Sequence, residues 1–223
     1  MIKFSRTEPP SQTAFPIDRA GIPFIGIAAF ATAVFALLGI AVLALSGLLA
    51  TLFVCYFFRD PDRVTPVLEG GVVSPADGKV IKVERLENTR FVEGPCQKIS
   101  IFMSIFNVHV NRIPFDGQIA KIEYYPGKFF SANLDKASRH NEHNAIGLET
   151  DQGKKIFFVQ IAGLIARRII CKVKEGDKVV RGQRFGMICF GSRLDVYLPP
   201  DTNLNVAVGD RVKAGTSVLG DLT

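Results

Sequence analysis

From Ala20 to Phe58 the chain carries no charged residue, and Ala, Leu, Ile, Val and Phe dominate those 39 positions. As one helix the run would be roughly 58 Å long, about twice a ~30 Å hydrocarbon core. Two antiparallel helices fit better, with a turn near Gly39 or alternatively at Ser46-Gly47. A buried hairpin in a soluble core is the competing reading, but so long a charge-free stretch favours the bilayer. A cleaved signal peptide needs a short apolar run and a small-residue cleavage site. Here the run leads straight into Tyr56-Phe57-Phe58-Arg59-Asp60-Pro61-Asp62-Arg63 and is read as a retained anchor. Lys3, Arg6 and Arg19 precede it, while Arg59 and Arg63 follow it. Basic residues on both flanks predict a hairpin in the cell membrane with both ends, and the rest of the chain, on the cytoplasmic face.

The net charge of +6 comes without a run of Lys and Arg or aromatic-basic interleaving. This argues against nucleic acid and for an anionic lipid surface. Cys55, Cys96, Cys171 and Cys189 show no CxxC spacing. Buried free thiols are expected, and no metal site.

After residue 63 the pattern changes to short apolar runs broken by Gly, Pro and Asp-Gly. Residues 72–83 read strand, turn, strand; Lys98 to Ser104 and Gly117 to Tyr125 read as strands. Ala145 to Thr150 and Lys155 to Ala162 flank a hairpin turn at Asp151-Gln152-Gly153. Phe129 to Asn144 is polar and irregular, a loop that could cover a site. A weak internal echo relates Lys174–Gln183 to Ala207–Thr216, each a Gly-Asp turn, a basic-Val pair and a second glycine. The expected fold is therefore mainly β, a barrel-sandwich-hybrid-like domain over 64–223 behind a tail and helical membrane hairpin over 1–63.

Chemistry-bearing residues are few. His109 sits in a strongly apolar stretch, and Asp77 in a Pro-Ala-Asp-Gly turn; each alone reads as structural. His140 and His143 lie in the polar loop and are expected at the surface, and Arg167-Arg168 reads either as a solvated pair or as a phosphate contact. Gly191-Ser192 falls between two strand-like runs, where a glycine gives a hydroxyl close access to the preceding carbonyl. An Asp, a His and a Ser distant in sequence can assemble an activated nucleophile.

Four motifs occur in order: Ser74-Pro75-Ala76-Asp77-Gly78, Phe102-Met103-Ser104 running through Val108-His109 to Pro114, Val159 to Arg168, and Phe190-Gly191-Ser192-Arg193. With Phe57-Phe58-Arg59-Asp60-Pro61 they extend over nearly the whole chain, which resembles the phosphatidylserine decarboxylases in their short bacterial, membrane-anchored form. The resemblance implies a carboxy-lyase made as a proenzyme. Asp77 would orient His109, His109 would deprotonate Ser192, and Ser192 would attack Gly191, splitting the chain into associated subunits 1–191 and 192–223. The new terminus would become a covalent pyruvoyl group, made from Ser192 without metal or pyridoxal phosphate. As a pyruvoyl, Ser192 would form a Schiff base with the substrate amine, with the adjoining carbonyl as electron sink. His109 would return a proton after carbon dioxide leaves. Phosphatidylserine in the membrane would be the substrate and phosphatidylethanolamine the product, in phospholipid biosynthesis. Arg167, Arg168 and His140 are candidates for the substrate phosphate, and a homo-oligomer is expected.

The chain departs from the family where larger members carry Gly-Ser-Thr and Pro-Arg-Asp-Tyr-His. It has Gly191-Ser192-Arg193 and Ile105-Phe106-Asn107-Val108-His109. The missing acid at 107 leaves Asp77 as the carboxylate partner, and Arg193 is open between a phosphate contact and a solvent-facing side chain. Two other classes compete: a non-catalytic barrel-sandwich carrier or adaptor, and a serine hydrolase that does not cut itself.

Overall fold

In the computed structural model residues 3–5, 7–8, 15–131, 140–164, 168–189 and 191–222 are described. The chain divides into two compact units, Pro10–Asp62 and a unit joining Met1–Pro9 to Arg63–Thr223.

The first is a helical hairpin. Asp18 caps a 3-10 turn at Arg19–Gly21 by accepting from the Ala20 amide, and α1 (Ile22–Leu37) follows. Gly39, at φ 72°, makes the turn into α2 (Ala41–Phe57). Thr32 and Gly47 bring the helices close: a Cβ on Gly47 would lie 2.6 Å from the Thr32 hydroxyl. The hairpin base is zipped by a bridge between Ile17 and Arg59, and Phe58 stacks on Phe24 with centroids 5.5 Å apart. Large apolar side chains are exposed along both helices. Arg19–Leu37 is long and apolar enough to cross a membrane; α2 is apolar but shorter.

The second unit is β. Its backbone begins with β1 (Lys3–Ser5) against β2 (Thr65–Val67). Eight strands then form a curled sheet. From one edge to the other these are β11 (Lys178–Val179), β7 (Gly117–Tyr125), β8 (His143–Glu149), β9 (Lys155–Ala162), β13 (Ser192–Leu198), β5 (Cys96–Met103), β4 (Gly78–Leu86) and β15 (Arg211–Val212). Two smaller sheets complete it: β10 (Ile169–Cys171), β12 (Arg184–Ile188) and β6 (Val110–Arg112), and β14 (Asn203–Leu204), β16 (Val218–Asp221) and β3 (Gly71–Val73). The mainly β, barrel-like expectation holds. The turn at 151–153 is a hairpin with Gly153 at φ 75°.

The sequence echo is the trace of an internal near-repeat. β11 and β15 are the two edge strands of the large sheet, each reached through a Gly-Asp turn. Asp177 accepts from the Lys174 amide and Asp210 from the Ala207 amide, both at 2.8 Å. Their partners, β7 and β4, each begin at an Asp-Gly. Asp116 accepts from the Arg181 amide at 2.8 Å, as Asp77 does from the Ala214 amide at 2.7 Å. The remaining oxygen of each binds an arginine, Arg181 for Asp116 and Arg63 for Asp77.

β13 occupies the middle of the large sheet, and all seven of its residues are buried. Leu194, Val196 and Leu198 point into the main core with Ile99, Ile101 and Phe158. Tyr197 points to the other face, among Cys96, Val159 and Ile161. Leu194→Ala should therefore cost about 2–5 kcal/mol by opening a cavity between two neighbouring strands. Chemical denaturation of the detergent-solubilised chain measures it, and a loss below about 1 kcal/mol would be incompatible with this central position.

Candidate active site

Ser192 heads β13 at one end of the large sheet. The sheet register places Met103, the last residue of β5, and Ala162, the last of β9, on either side of it. Ser192 is fully buried, and its hydroxyl donates to the Met103 thioether at 3.3 Å. The preceding Gly191 is at φ 61° with open space where a Cβ would stand. Glycine is required there by the left-handed backbone, not by crowding. The peptide bond before Ser192 thus joins a left-handed residue directly to a strand.

His109 reaches the same end from the loop that follows β5. Asn107 closes that loop, its side-chain oxygen accepting from the Ser104 amide at 2.9 Å and hydroxyl at 2.8 Å. The His109 ring lies with Nδ1 3.0 Å from the Asn107 carbonyl. A carbonyl only accepts, so Nδ1 carries a proton there. His109 is buried, and its carbonyl accepts from the Ile188 amide at 3.4 Å, beside the segment that enters Gly191. Position 107 thus serves His109 through its backbone oxygen.

Asp77 immediately precedes β4 at this end. Its turn is bonded to β6 through the Arg112 amide and the Pro75 carbonyl, 2.9 Å apart. The described hydrogen bonds of Asp77 go to Arg63 at 2.9 Å and to the Ala214 amide. Its first task is therefore architectural, shared with Asp116.

Arg193 overturns both expectations for it. It is buried on the face of β13 opposite Ser192, donating to Asp195 through Nε at 2.6 Å and Nη2 at 3.0 Å, and to Ser100 at 2.8 Å. Lys98 lies 3.5 Å from Asp195 and 3.1 Å from Glu84. Burial pushes the Glu84 carboxyl up, but hydrogen bonds from Lys82 and Lys98 outweigh it and hold the group below its ordinary value.

His140 is exposed, and its carbonyl accepts from the Lys128 amide. Arg168 is exposed too, and its carbonyl accepts from the Cys189 amide at 3.1 Å, two residues before Gly191. Arg167 and much of the 129–144 loop lie outside the described residues. His143, expected at the surface, is buried instead. It stacks on Tyr125 with centroids 4.7 Å apart, and its Nδ1 donates to the Asn141 carbonyl at 2.6 Å. Sequence reading assigned no role to Met103, Asn111 or Gln160. A lone amide within each apolar strand was the available signal, visible at Asn111 and Gln160. Among the described residues, no three His, Cys, Asp or Glu side chains form a group that could hold a metal ion.

The chain is similar to known proteins over nearly its whole length. The chain is 52% identical over 211 residues to the phosphatidylserine decarboxylase proenzyme of Desulfotalea psychrophila, covering 95% of this chain and 99% of that one. It is 57% identical over 208 residues to the protein of the same name from Syntrophus aciditrophicus, covering 92% and 96%. For that of Geotalea uraniireducens the identity is 52% over 207 residues, covering 93% and 97%. The class is thereby fixed as an enzyme, a carboxy-lyase made as a proenzyme. The family profile for phosphatidylserine decarboxylase matches residues 50–220, and the chain belongs to that family.

Burial pushes the His143 imidazole below its ordinary value, against the hydrogen bond to the Asn141 carbonyl that pulls it up. Arg90 lowers it further and Asp195 opposes. As pH falls through the ordinary imidazole range the unfolded chain binds the proton first, so stability drops. His143→Asn, which can keep a donor toward Asn141, should lose less melting temperature than wild type between about pH 7 and about pH 5. Equal losses in the two proteins would count against a buried neutral His143.

Proposed function

We propose that the chain cuts itself between Gly191 and Ser192, turns Ser192 into a pyruvoyl group and uses it to decarboxylate phosphatidylserine to phosphatidylethanolamine. The observation that carries this reading is the buried Ser192 hydroxyl behind a left-handed Gly191, on the same sheet end as the buried His109, whose Nδ1 is engaged by the Asn107 carbonyl. A thioether is a weak acceptor and does little to hold the serine proton.

In the first step His109 Nε2 takes the Ser192 hydroxyl proton and Oγ adds to the Gly191 carbonyl carbon. The Gly191–Ser192 C–N bond breaks, the nitrogen gains a proton, and an ester replaces the amide. Loss of the Ser192 Cα proton then expels Oγ with the Gly191 carboxylate, leaving dehydroalanine. Water enters, ammonia leaves, and a pyruvoyl terminus remains on residues 192–223. Asp77 supplies negative charge to this end of the sheet, held in place by Arg63 and the Ala214 amide.

The surroundings fit such a group. Position 192 lies at a strand terminus between Met103 and Ala162, both buried in the main apolar core. When present, the group supplies a ketone that can hold a substrate amine and a carbonyl that withdraws electrons from the bond to be broken. The chain's own part is to exclude water at position 192 and to return a proton from His109. Arg168 and His140 are the described candidates for the lipid phosphate. The hairpin would keep the site at the headgroups, on the cytoplasmic face.

Intact mass under denaturing conditions tests the reading. Wild type should give two species, the smaller starting at 192 and lighter than its serine-started peptide by one ammonia. Ser192→Ala and His109→Ala should each remain one full-length chain. Asp77→Asn keeps an oxygen for the Ala214 amide and loses the charge, so it should fold and split slowly; splitting at the wild-type rate would reduce Asp77 to its architectural task.

A further inference from the structure

A run of buried amides leads from the centre of the molecule to Ser192, and each one's orientation is dictated by the next. The Ile170 carbonyl can only accept, so the Gln160 atom 3.4 Å from it is Nε2. The other end of that amide, Oε1, then accepts from Asn144 Nδ2 at 3.2 Å. The same Nε2 is 2.9 Å from Asn111, which must therefore offer Oδ1. Asn111 Nδ2 is left pointing the other way, 3.8 Å from the Met103 sulfur that also receives the Ser192 hydroxyl. Gly186 makes room for the bridge: a Cβ there would lie 2.2 Å from the Ile170 oxygen and 3.0 Å from Gln160 Nε2.

Asn111, Gln160 and Asn144 are all buried. A desolvated N–H facing a long contact to a thioether is poorly compensated in the resting chain. It gains a strong acceptor only if negative charge develops close to that sulfur. Self-cleavage supplies such charge, first on Ser192 Oγ and then on the oxygen of its adduct with Gly191. We propose that Asn111 donates a hydrogen bond to this charge, with Gln160 as the positioning residue that aims it. The inference rests on the self-cleavage reading given above.

The test follows loss of the full-length chain after cell-free synthesis onto phosphatidylcholine–phosphatidylglycerol vesicles, with and without hydroxylamine, which cuts an ester but not an amide. Asn111→Leu removes the donor at similar volume and should slow splitting by about 10²-fold, as loss of one charge-stabilising donor does. Hydroxylamine should not restore scission, because the ester itself forms slowly. Gln160→Leu, which frees Asn111 to turn over, should slow splitting by a smaller factor, with hydroxylamine again without effect.

Wild-type splitting by a folded Asn111→Leu chain would overturn the inference. So would rapid scission of that variant by hydroxylamine, which would place the defect after the ester. Asn111→Asp keeps the oxygen for Gln160, and its melting transition shows whether the bridge survives. Should neither Asn111 variant fold, the amides serve the fold alone and the inference fails. A wild-type chain that stays whole would instead remove the self-cleavage reading itself.

Discussion

β13 is hydrogen-bonded along its length to β5 and over most of it to β9, and all seven of its residues are buried. The position of Ser192, the shape of the space around it and the fate of the chain after any cut at Gly191 all depend on that. The 32 residues from 192 onward could not bury a core alone. Here they supply the middle of the large sheet and one of its edges. On the face away from Ser192, Arg193 and Asp195 are buried as a pair, with Ser100 and Lys98 taking part. Breaking such a pair strands a charge in the interior, so the register of β13 is held at its first residues.

The near-repeat separates what the architecture demands from what the site adds. Asp77 and Asp116 do the same work at the starts of β4 and β7, each tying down the second residue after an edge strand. The two halves differ in what surrounds this shared frame. The loop from Met103 to His109 and the segment from Ile188 to Ser192 meet at one end of the sheet, where a backbone hydrogen bond joins them. The candidate site lies where the repetition stops.

The connectivity of the two units bears on the membrane. The segment before the hairpin is part of the β unit: β1 pairs with β2, Thr7 donates to the Arg181 carbonyl at 2.7 Å, and Glu8 is ion-paired to Arg184. Both ends of the hairpin therefore run into one folded body, which requires an even number of crossings if the helices enter a bilayer. Charges on both flanks lead to the same conclusion independently.

The sequence by itself determined the helical hairpin, the β character of the rest and the 151–153 turn. These are local properties: an uncharged run, alternation, turn chemistry and one permissive glycine. Tertiary structure decided the rest. Arg193 and His143 are buried, although nothing near them in sequence announces it, because burial depends on which strands and loops cover a face. Asp77 proved to be half of an architectural pair, which required the spatial partners of both edge strands. The aim of Asn111 follows from a carbonyl and an amide brought to β6 from β10 and β9. Chain order cannot specify such orientations, since they arise only when separate strands share one interior.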